Sequence, residues 1–385
     1  MFNKNRDKII ILMHENVMHY PPVLNLIECM LHNSYRVHLI SCGQENLPDI
    51  ILENELFSGF NIQTNTKKNV LVRIKNRIEY DKQFRNELIK QANESDIIWT
   101  VNPRIIRALG ETLKKYSNRH VMELMELLGD FYPLYQGDKK IGFDVKEYAK
   151  KAWKVVVPER NRAYIQKATW GLEKVPYVLP NKPYYFDAGI PTSDMLPVIE
   201  KLKNEKRKII IYLGVFDPDR TFEEFAKAVE KMKEEFCLCL FGKCATPYKE
   251  EFESFCNRYE CVKYMGFFNP PKHLYFLKYA HIALLPYFPG VSVGGTSVIN
   301  ALYCAPNKIF EYAGSNVPMI GTDVLGLREP FEKYNIGVCC DSLDEEVIID
   351  AIKLVDKNHE VMKKNCRKFF DSVNLDEIVE RIING

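Results

Sequence analysis

Lys308 and Glu311 are the residues whose types and spacing most directly suggest chemistry. They lie in the segment APNKIFEYAGSNVPMIG at 305–321, where Pro306 suits the first turn of a helix and Gly314 its end. Residues three apart share one helix face, and the free N–H groups near a helix N-terminus favour phosphate. A lysine there adds positive charge, and a glutamate one turn on can accept two sugar hydroxyls. The pair predicts a nucleotide site, with an ordinary surface ion pair as the alternative.

Asp217, Asp219 and Arg220 follow the apolar run KIIIYLG, which predicts a buried strand. An Asp-x-Asp pair can hold a divalent metal, but aspartates after a strand more often serve in turns and helix caps. Arg220 could hold a diphosphate through its paired N–H donors, or could simply be solvated. The 11 cysteines and 8 histidines show no zinc-site spacing, so we expect buried reduced thiols and no metal.

The elements that must position these residues alternate between strands and helices. Apolar runs such as KIIILM at 8–13 and RKIIIYLG at 207–214 indicate strands, and TFEEFAKAVEKMKE at 221–234 indicates an amphipathic helix capped by Thr221. Strands separated by helices of this length predict parallel βαβ units. The pattern restarts after a polar, proline-containing stretch at 185–204. The sequence therefore predicts two α/β domains, whose strand ends can face a shared cleft.

Length and composition agree with two soluble domains. The chain has 385 residues, of which 46% are hydrophobic and 27% charged. Since no apolar run approaches the ~18 residues of a spanning helix and the N-terminal apolar stretch is short, we expect a cytosolic protein. No Gly-x-Gly-x-x-Gly follows a leading strand, which disfavours a dinucleotide oxidoreductase. No nucleic-acid partner is expected.

Positive charge is concentrated in the segment KKNVLVRIKNRIEYDKQFRNELIK at 67–90, which has eight Lys and Arg against three acids. Leu71, Ile74 and Ile78 have the spacing of one helix face, and Asp81 interrupts that apolar stripe further on. A basic amphipathic helix can dock on anionic lipid headgroups, which would place the protein at the inner face of the cell membrane. A merely solvated helix face fits the pattern equally well.

The ordered set of motifs resembles the GT-B glycosyltransferases, especially the family-4-like group with a PNKxFEYxxxGxPxI segment. The resemblance is strongest from about Tyr177 to Asp341, and it runs through YVLPNKP, YLGVFDPDRTFEEF, LFGKC, YMGFFNPPKHLYFLKYAHIALLPY, PNKIFEY, VPMIG and GVCCD. It implies two doubly wound Rossmann-like α/β domains facing a central cleft. The expected parts are an acceptor-binding domain at 1–190, a nucleotide-sugar-binding domain at 191–370, and a C-terminal helix at 371–385 that can cross back to the first domain.

The same resemblance implies transfer of a hexose-type sugar from a nucleotide-diphosphate donor, expected to be a UDP-sugar, to an acceptor hydroxyl. The acceptor would be a saccharide or lipid-linked molecule in the assembly of a bacterial surface polysaccharide or glycoconjugate, with retention of configuration. No metal and no other cofactor is expected. Two alternatives stay open, namely a sugar-nucleotide 2-epimerase and a catalytically degenerate GT-B binding subunit.

On the donor side, the resemblance implies that Glu311 binds the ribose, with Lys308 and Arg220 beside the diphosphate. The other expected donor contacts are strand-end and loop residues, namely Gly214, Gly242, Lys243, Phe267, Gly294, Gly295, Thr296 and Ser297. The sequence departs from the pattern at two places. Asn316 stands in place of a glycine, and Tyr303 stands where many such enzymes carry a second glutamate. The second departure leaves the donor sugar and the stereochemical outcome open.

On the acceptor side, VMELMELLGD resembles a family segment that reads acid-x-His-Glu, with Met125 in place of the histidine. A carboxylate or imidazole beside an acceptor hydroxyl can act as a general base. Glu126 is the first candidate, Glu123 the second, and His14, in HENVMHYPP after the first strand, the third. Each could instead be a structural or solvent-facing side chain.

Overall fold

The computed structural model describes residues 3–62, 70–129, 131–133, 142–185, 189–217, 220–244, 248–290 and 298–385. The chain divides into two compact units. Unit 1 comprises Met1–Tyr184 together with Asn374–Gly385, and unit 2 comprises Tyr185–Val373. Among the described residues, no helix is both long and apolar enough to cross a membrane.

Unit 1 is built around a parallel sheet. The strands are β1 (Lys8–Asn16), β2 (Arg36–Cys42), β3 (Phe57–Asn61), β4 (Ile97–Val101), β5 (His120–Glu123), β6 (Phe131–Pro133), β7 (Gly142–Asp144), β8 (Lys154–Val157) and β9 (Tyr177–Val178). The helices are α1 (Pro21–His32), α2 (Asp49–Leu52), α3 (Val70–Gln91), α4 (Pro103–Leu109), α5 (Val145–Lys151) and α6 (Arg160–Trp170). The sheet order is β3-β2-β1-β4-β5-β8-β9, and β6 pairs with β7 separately. Chain order reverses between β1 and β4, the point where such sheets bind ligands at the carboxyl ends of their strands.

Unit 2 repeats this architecture. Its strands are β10 (Lys208–Leu213), β11 (Phe236–Phe241), β12 (Val262–Gly266), β13 (Ile282–Leu285), β14 (Met319–Thr322) and β15 (Gly337–Cys340). Its helices are α7 (Leu196–Asn204), α8 (Glu223–Glu230), α9 (Lys249–Arg258), α10 (Val298–Leu302), α11 (Asn307–Gly314), α12 (Leu325–Tyr334), α13 (Glu345–Lys357) and α14 (His359–Asp371). The parallel order β12-β11-β10-β13-β14-β15 again reverses beside the first strand, between β10 and β13. Apolar clusters cover both faces of the sheet, which is why its strands are continuous apolar runs.

The helix predicted from Thr221 begins later than expected. Its first residue is Glu223 and its N-cap is Phe222, so the prediction that Thr221 caps it is wrong. The Thr221 N–H instead donates to the Pro286 carbonyl at 2.9 Å, and its hydroxyl bonds Glu224. Thr221 therefore contacts the loop after β13, and the helix begins two residues later.

The last helix of the chain, α15 (Leu375–Asn384), packs within unit 1. Lys154 of β8 donates from Nζ to the carbonyls of Ile382, at 2.5 Å, and Gly385, at 2.8 Å. These bonds satisfy carbonyl groups that the end of a helix otherwise leaves unpaired. Burial lowers the pKa of Lys154 to about 8. At the other end of the helix, the Tyr184 hydroxyl donates to Asp376 at 2.9 Å.

Candidate functional site

Helix α11 carries Lys308 and Glu311 and is fixed to the sheet of unit 2. It begins at Asn307 with Pro306 as its N-cap, so the predicted helix is confirmed. The fully buried Tyr312 accepts a hydrogen bond from the Leu213 N–H at 3.0 Å, at the last residue of β10. This bond holds the helix against the carboxyl end of the strand.

Glu311 is a buried carboxylate, only 7% exposed. Its Oε2 lies 3.8 Å from Nε2 of His273, longer than an ordinary hydrogen bond. Burial alone would raise the pKa of Glu311, but His273 and Lys308 together lower it. The carboxylate is therefore ionised at neutral pH and can accept hydrogen bonds from hydroxyl groups.

Two glycines let the strand ends and Lys308 approach closely. A Cβ on Gly242, after β11, would lie 1.5 Å from the Gly214 carbonyl oxygen, and both glycines have φ +152°. A Cβ on Gly214, after β10, would lie 2.3 Å from Cε of Lys308. The lysine side chain therefore lies directly over the Gly214 backbone, at the carboxyl end of the sheet. A side chain on either glycine would fill this space.

Arg220 lies near enough to Lys308 for their charges to interact. Its guanidinium stacks over Tyr287, 4.0 Å from the ring centroid, and the two residues form an isolated β-bridge. Burial and the charge of Arg220 act to lower the pKa of Lys308, but the hydroxyls of Tyr212 and Tyr287, with Glu311, raise it overall. Both cations remain charged at neutral pH, so this edge of the sheet suits a diphosphate.

Lys243 and Phe267, after β11 and β12, meet near the same edge. Nζ of Lys243 lies 3.8 Å from the Phe267 ring centroid, and the ring is 39% exposed. An exposed ring beside an ammonium group can stack on a nucleobase. Phe268, by contrast, packs on Phe276 in the core, with ring centroids 4.7 Å apart.

The predicted donor contacts Gly294, Gly295, Thr296 and Ser297 lie outside the described residues, as does Asp219 of the Asp-x-Asp pair. Within the described part of the chain, no group of three or more His, Cys, Asp and Glu side chains could hold a metal ion.

Asn316, in place of the glycine of the family-like pattern, has a left-handed backbone conformation. Its φ is +58°, in the left-handed region that glycine favours and asparagine also tolerates. Its N–H bonds the Ala313 carbonyl at 2.9 Å, which turns the chain from α11 into β14.

The two glutamates predicted for unit 1 lie in different environments. Glu123 is buried and accepts a hydrogen bond from Trp99 Nε1 at 2.7 Å. Burial raises its pKa to about 7. Glu126 is exposed, with Oε2 3.9 Å from Nη1 of Arg162. Only Glu126 of the pair therefore stands open to a substrate in this structure.

His14 lies near the carboxyl end of β1, where the strand order reverses. It stacks on Phe84, and its Nε2 lies 3.6 Å from Oδ1 of Asp81, which also lies 3.5 Å from Nη2 of Arg107. The sequence did not identify Asp81 as a site residue, because an aspartate that interrupts the apolar stripe of α3 does not indicate which side chain it contacts.

Ile78, also on α3, is 62% exposed. Contact of this helix with an anionic membrane stays a prediction.

Solved structures match this chain over nearly its whole length at low identity. A glycosyltransferase from Rickettsia africae is 14% identical, over 98% of this chain and 97% of that chain, with a TM-score of 0.65. Sucrose-phosphate synthase from Thermosynechococcus elongatus is 15% identical, over 98% and 97%, with a TM-score of 0.68. Anabaena HepE, solved with UDP and glucose, is 13% identical, over 98% and 98%, with a TM-score of 0.64.

By sequence alone, no curated protein matches the chain. Residues 198–369 do match the family model for glycosyl transferases group 1, and this segment contains Arg220, Lys308 and Glu311. The whole-chain structural matches confirm the predicted GT-B fold. Residues 198–369 are therefore similar to the group 1 glycosyl transferases, and the whole chain has the GT-B fold.

Proposed function

We propose that unit 2 binds a UDP-sugar and that the enzyme transfers the sugar to an acceptor hydroxyl with retention of configuration. The acceptor would belong to a bacterial surface polysaccharide or glycoconjugate. The observation that carries the proposal is the pair of Lys308 and Glu311, one helical turn apart at the carboxyl edge of the sheet, with Arg220 nearby.

Each side chain has a task in this proposal. Glu311 accepts the ribose hydroxyls, and the exposed Phe267 ring stacks on the base beside Lys243. Negative charge grows on the departing diphosphate as its bond to the sugar breaks. Lys308 and Arg220 stabilise that charge, since cations fixed in a partly buried site act more strongly than in water.

The choice of uridine rests on similar proteins. Anabaena HepE was solved with UDP and glucose, and an E. coli structure of similar fold was solved with UDP-2-fluoro glucose. Both are similar to this chain over nearly its full length.

Calorimetric titration with UDP tests the donor site. We expect Lys308→Met to weaken UDP binding by about 10- to 100-fold, because a charge-assisted contact to phosphate is lost. Glu311→Gln should weaken it about tenfold. The matched control is Lys333→Met, on the exposed side of α12, which should leave the affinity unchanged. UDP affinity that is unaltered in both site variants would overturn the proposed donor site.

Acceptor activation is assigned to unit 1, with Glu126, Glu123 and His14 as candidates. Glu126 is the most exposed of them, and Asp81 would orient His14. We expect Glu126→Gln or His14→Gln to slow UDP release from UDP-sugars, in the presence of a saccharide panel, by about 100-fold. UDP affinity should not change, and His19→Gln, at an exposed position, is the control. Full turnover in both candidate variants would exclude them as bases.

A further inference from the structure

His273 lies in the 3₁₀ segment Lys272–Tyr279, between β12 and β13, and its imidazole faces Glu311 of α11. The two side chains are 16% and 9% exposed, and Nε2 lies 3.8 Å from Oε2 of the carboxylate. Nδ1 of His273 is buried and has no hydrogen-bond partner in the described part of the chain. With a proton on Nε2, the ring therefore directs its only N–H towards Glu311.

The other cations near His273 and Glu311 act on Glu311 only through their charge or act on other groups. Lys308 acts on Glu311 by its charge from one turn away on the same helix, and Arg220 acts on Lys308 in turn. Lys272, beside His273 in the chain, pairs instead with Asp194 at 3.6 Å. Among the described residues, His273 is the one basic side chain from another element that pairs with the Glu311 carboxylate within 4 Å.

A carboxylate has two oxygens and can rotate about its last bond. If Nε2–H of His273 holds Oε2, the group stops rotating, and Oε1 keeps a fixed direction in which to accept a ligand hydroxyl. A hydroxyl bound to an oriented, ionised carboxylate loses less freedom than one bound to a rotating group.

We infer that His273 is a positioning residue that orients Glu311 for a ribose hydroxyl of a bound nucleoside diphosphate. This inference rests on the proposed function, because it assumes that the nucleotide binds to unit 2. No feature of the PNKIFEY segment points to this histidine, which lies 38 positions before Glu311 in the chain.

The experiment compares UDP with 2′-deoxy-UDP by calorimetry, in the wild type and in two variants. We expect the wild type to prefer UDP about tenfold, the effect of one hydrogen bond to a charged group. In His273→Phe, which keeps a ring but no donor, the preference should fall to about twofold. In His273→Gln, whose amide N–H can replace Nε2–H, most of it should return. Lys272→Ala, on the same segment, should behave like the wild type.

The outcomes separate the inference from the proposed function. If the wild type binds UDP but shows no preference over the deoxy form, or if His273→Phe keeps the full preference, the inference is overturned and the donor site stands. The same comparison with ADP and GDP and their 2′-deoxy forms covers a different base. If none of the three nucleotides binds the wild type, the proposed function falls together with the inference.

Discussion

Replacing Gly242 by alanine is expected to destabilise unit 2 by about 3 kcal/mol or more and to abolish UDP binding. The added Cβ would lie 1.5 Å from the Gly214 carbonyl oxygen, a distance that no side-chain movement can relieve. The ends of β10 and β11 must therefore move apart. This movement is opposed by the hydrogen bond from the Gly242 N–H to the Gly266 carbonyl, at 2.9 Å. Urea unfolding measures the loss of stability, and calorimetry measures the loss of binding.

Gly214→Ala is the matched control, because both glycines share φ +152° and therefore the same backbone strain. Its Cβ would meet side-chain atoms and no backbone, namely the flexible end of Lys308, at 2.3 Å from Cε, and the Tyr212 hydroxyl, at 3.1 Å. This variant should lose clearly less stability than Gly242→Ala but a similar share of UDP affinity, since Lys308 is displaced. If the two variants were equally stable, the close contact between residue 242 and the Gly214 carbonyl oxygen would be refuted.

Replacing Glu123 by glutamine is expected to stabilise the protein at pH 8 and to have little effect at pH 4.5. Burial raises the pKa of Glu123 to about 7 from an ordinary 4.5, so the folded state binds a proton that the unfolded state has released. The stabilising contribution of this group is complete below the unfolded pKa and is lost as pH rises through the folded pKa. The difference corresponds to about 3 kcal/mol. Glutamine stays neutral and avoids this loss.

The measurement is urea unfolding of wild type and variant across this pH range, with the difference between the two curves as the result. Taking the difference matters, because burial also lowers the pKa of His38 to about 4 and that of His120 to about 3. Both histidines remove stability as the pH falls, and they do so equally in the two proteins. The exposed Glu45, whose pKa is lowered by Asn61, provides a control, since Glu45→Gln should show no such gain. A pH-independent difference for Glu123→Gln would contradict the assignment.

Local sequence patterns were enough to predict the elements that carry the site. Pro306 and Gly314 mark the ends of α11 because both act on the backbone at their own positions, and the helix runs Asn307–Gly314. The run at 207–214 predicts β10, observed at Lys208–Leu213, for the same reason.

The partners of the site residues could not be predicted in this way. His273 and Asp81 meet Glu311 and His14 only through the packing of separate elements, and neither has a local signal. The prediction that Thr221 caps a helix is wrong because its hydroxyl donates to the Glu224 side chain, and its N–H binds the Pro286 carbonyl of a distant loop. Periodicity reports on a residue's own element, and these contacts depend on two elements at once.

The placement of α15 sets an order for folding during synthesis. Unit 2 is continuous in sequence, from Tyr185 to Val373, and can fold as soon as it leaves the ribosome. Most of unit 1 is synthesised first but lacks its last helix. Lys154 and the surface that α15 covers therefore have no partner until residues 374–385 have been synthesised. The half that is translated first is therefore the half completed last, and a nascent chain stalled after Val373 would hold a finished second unit and an unfinished first one.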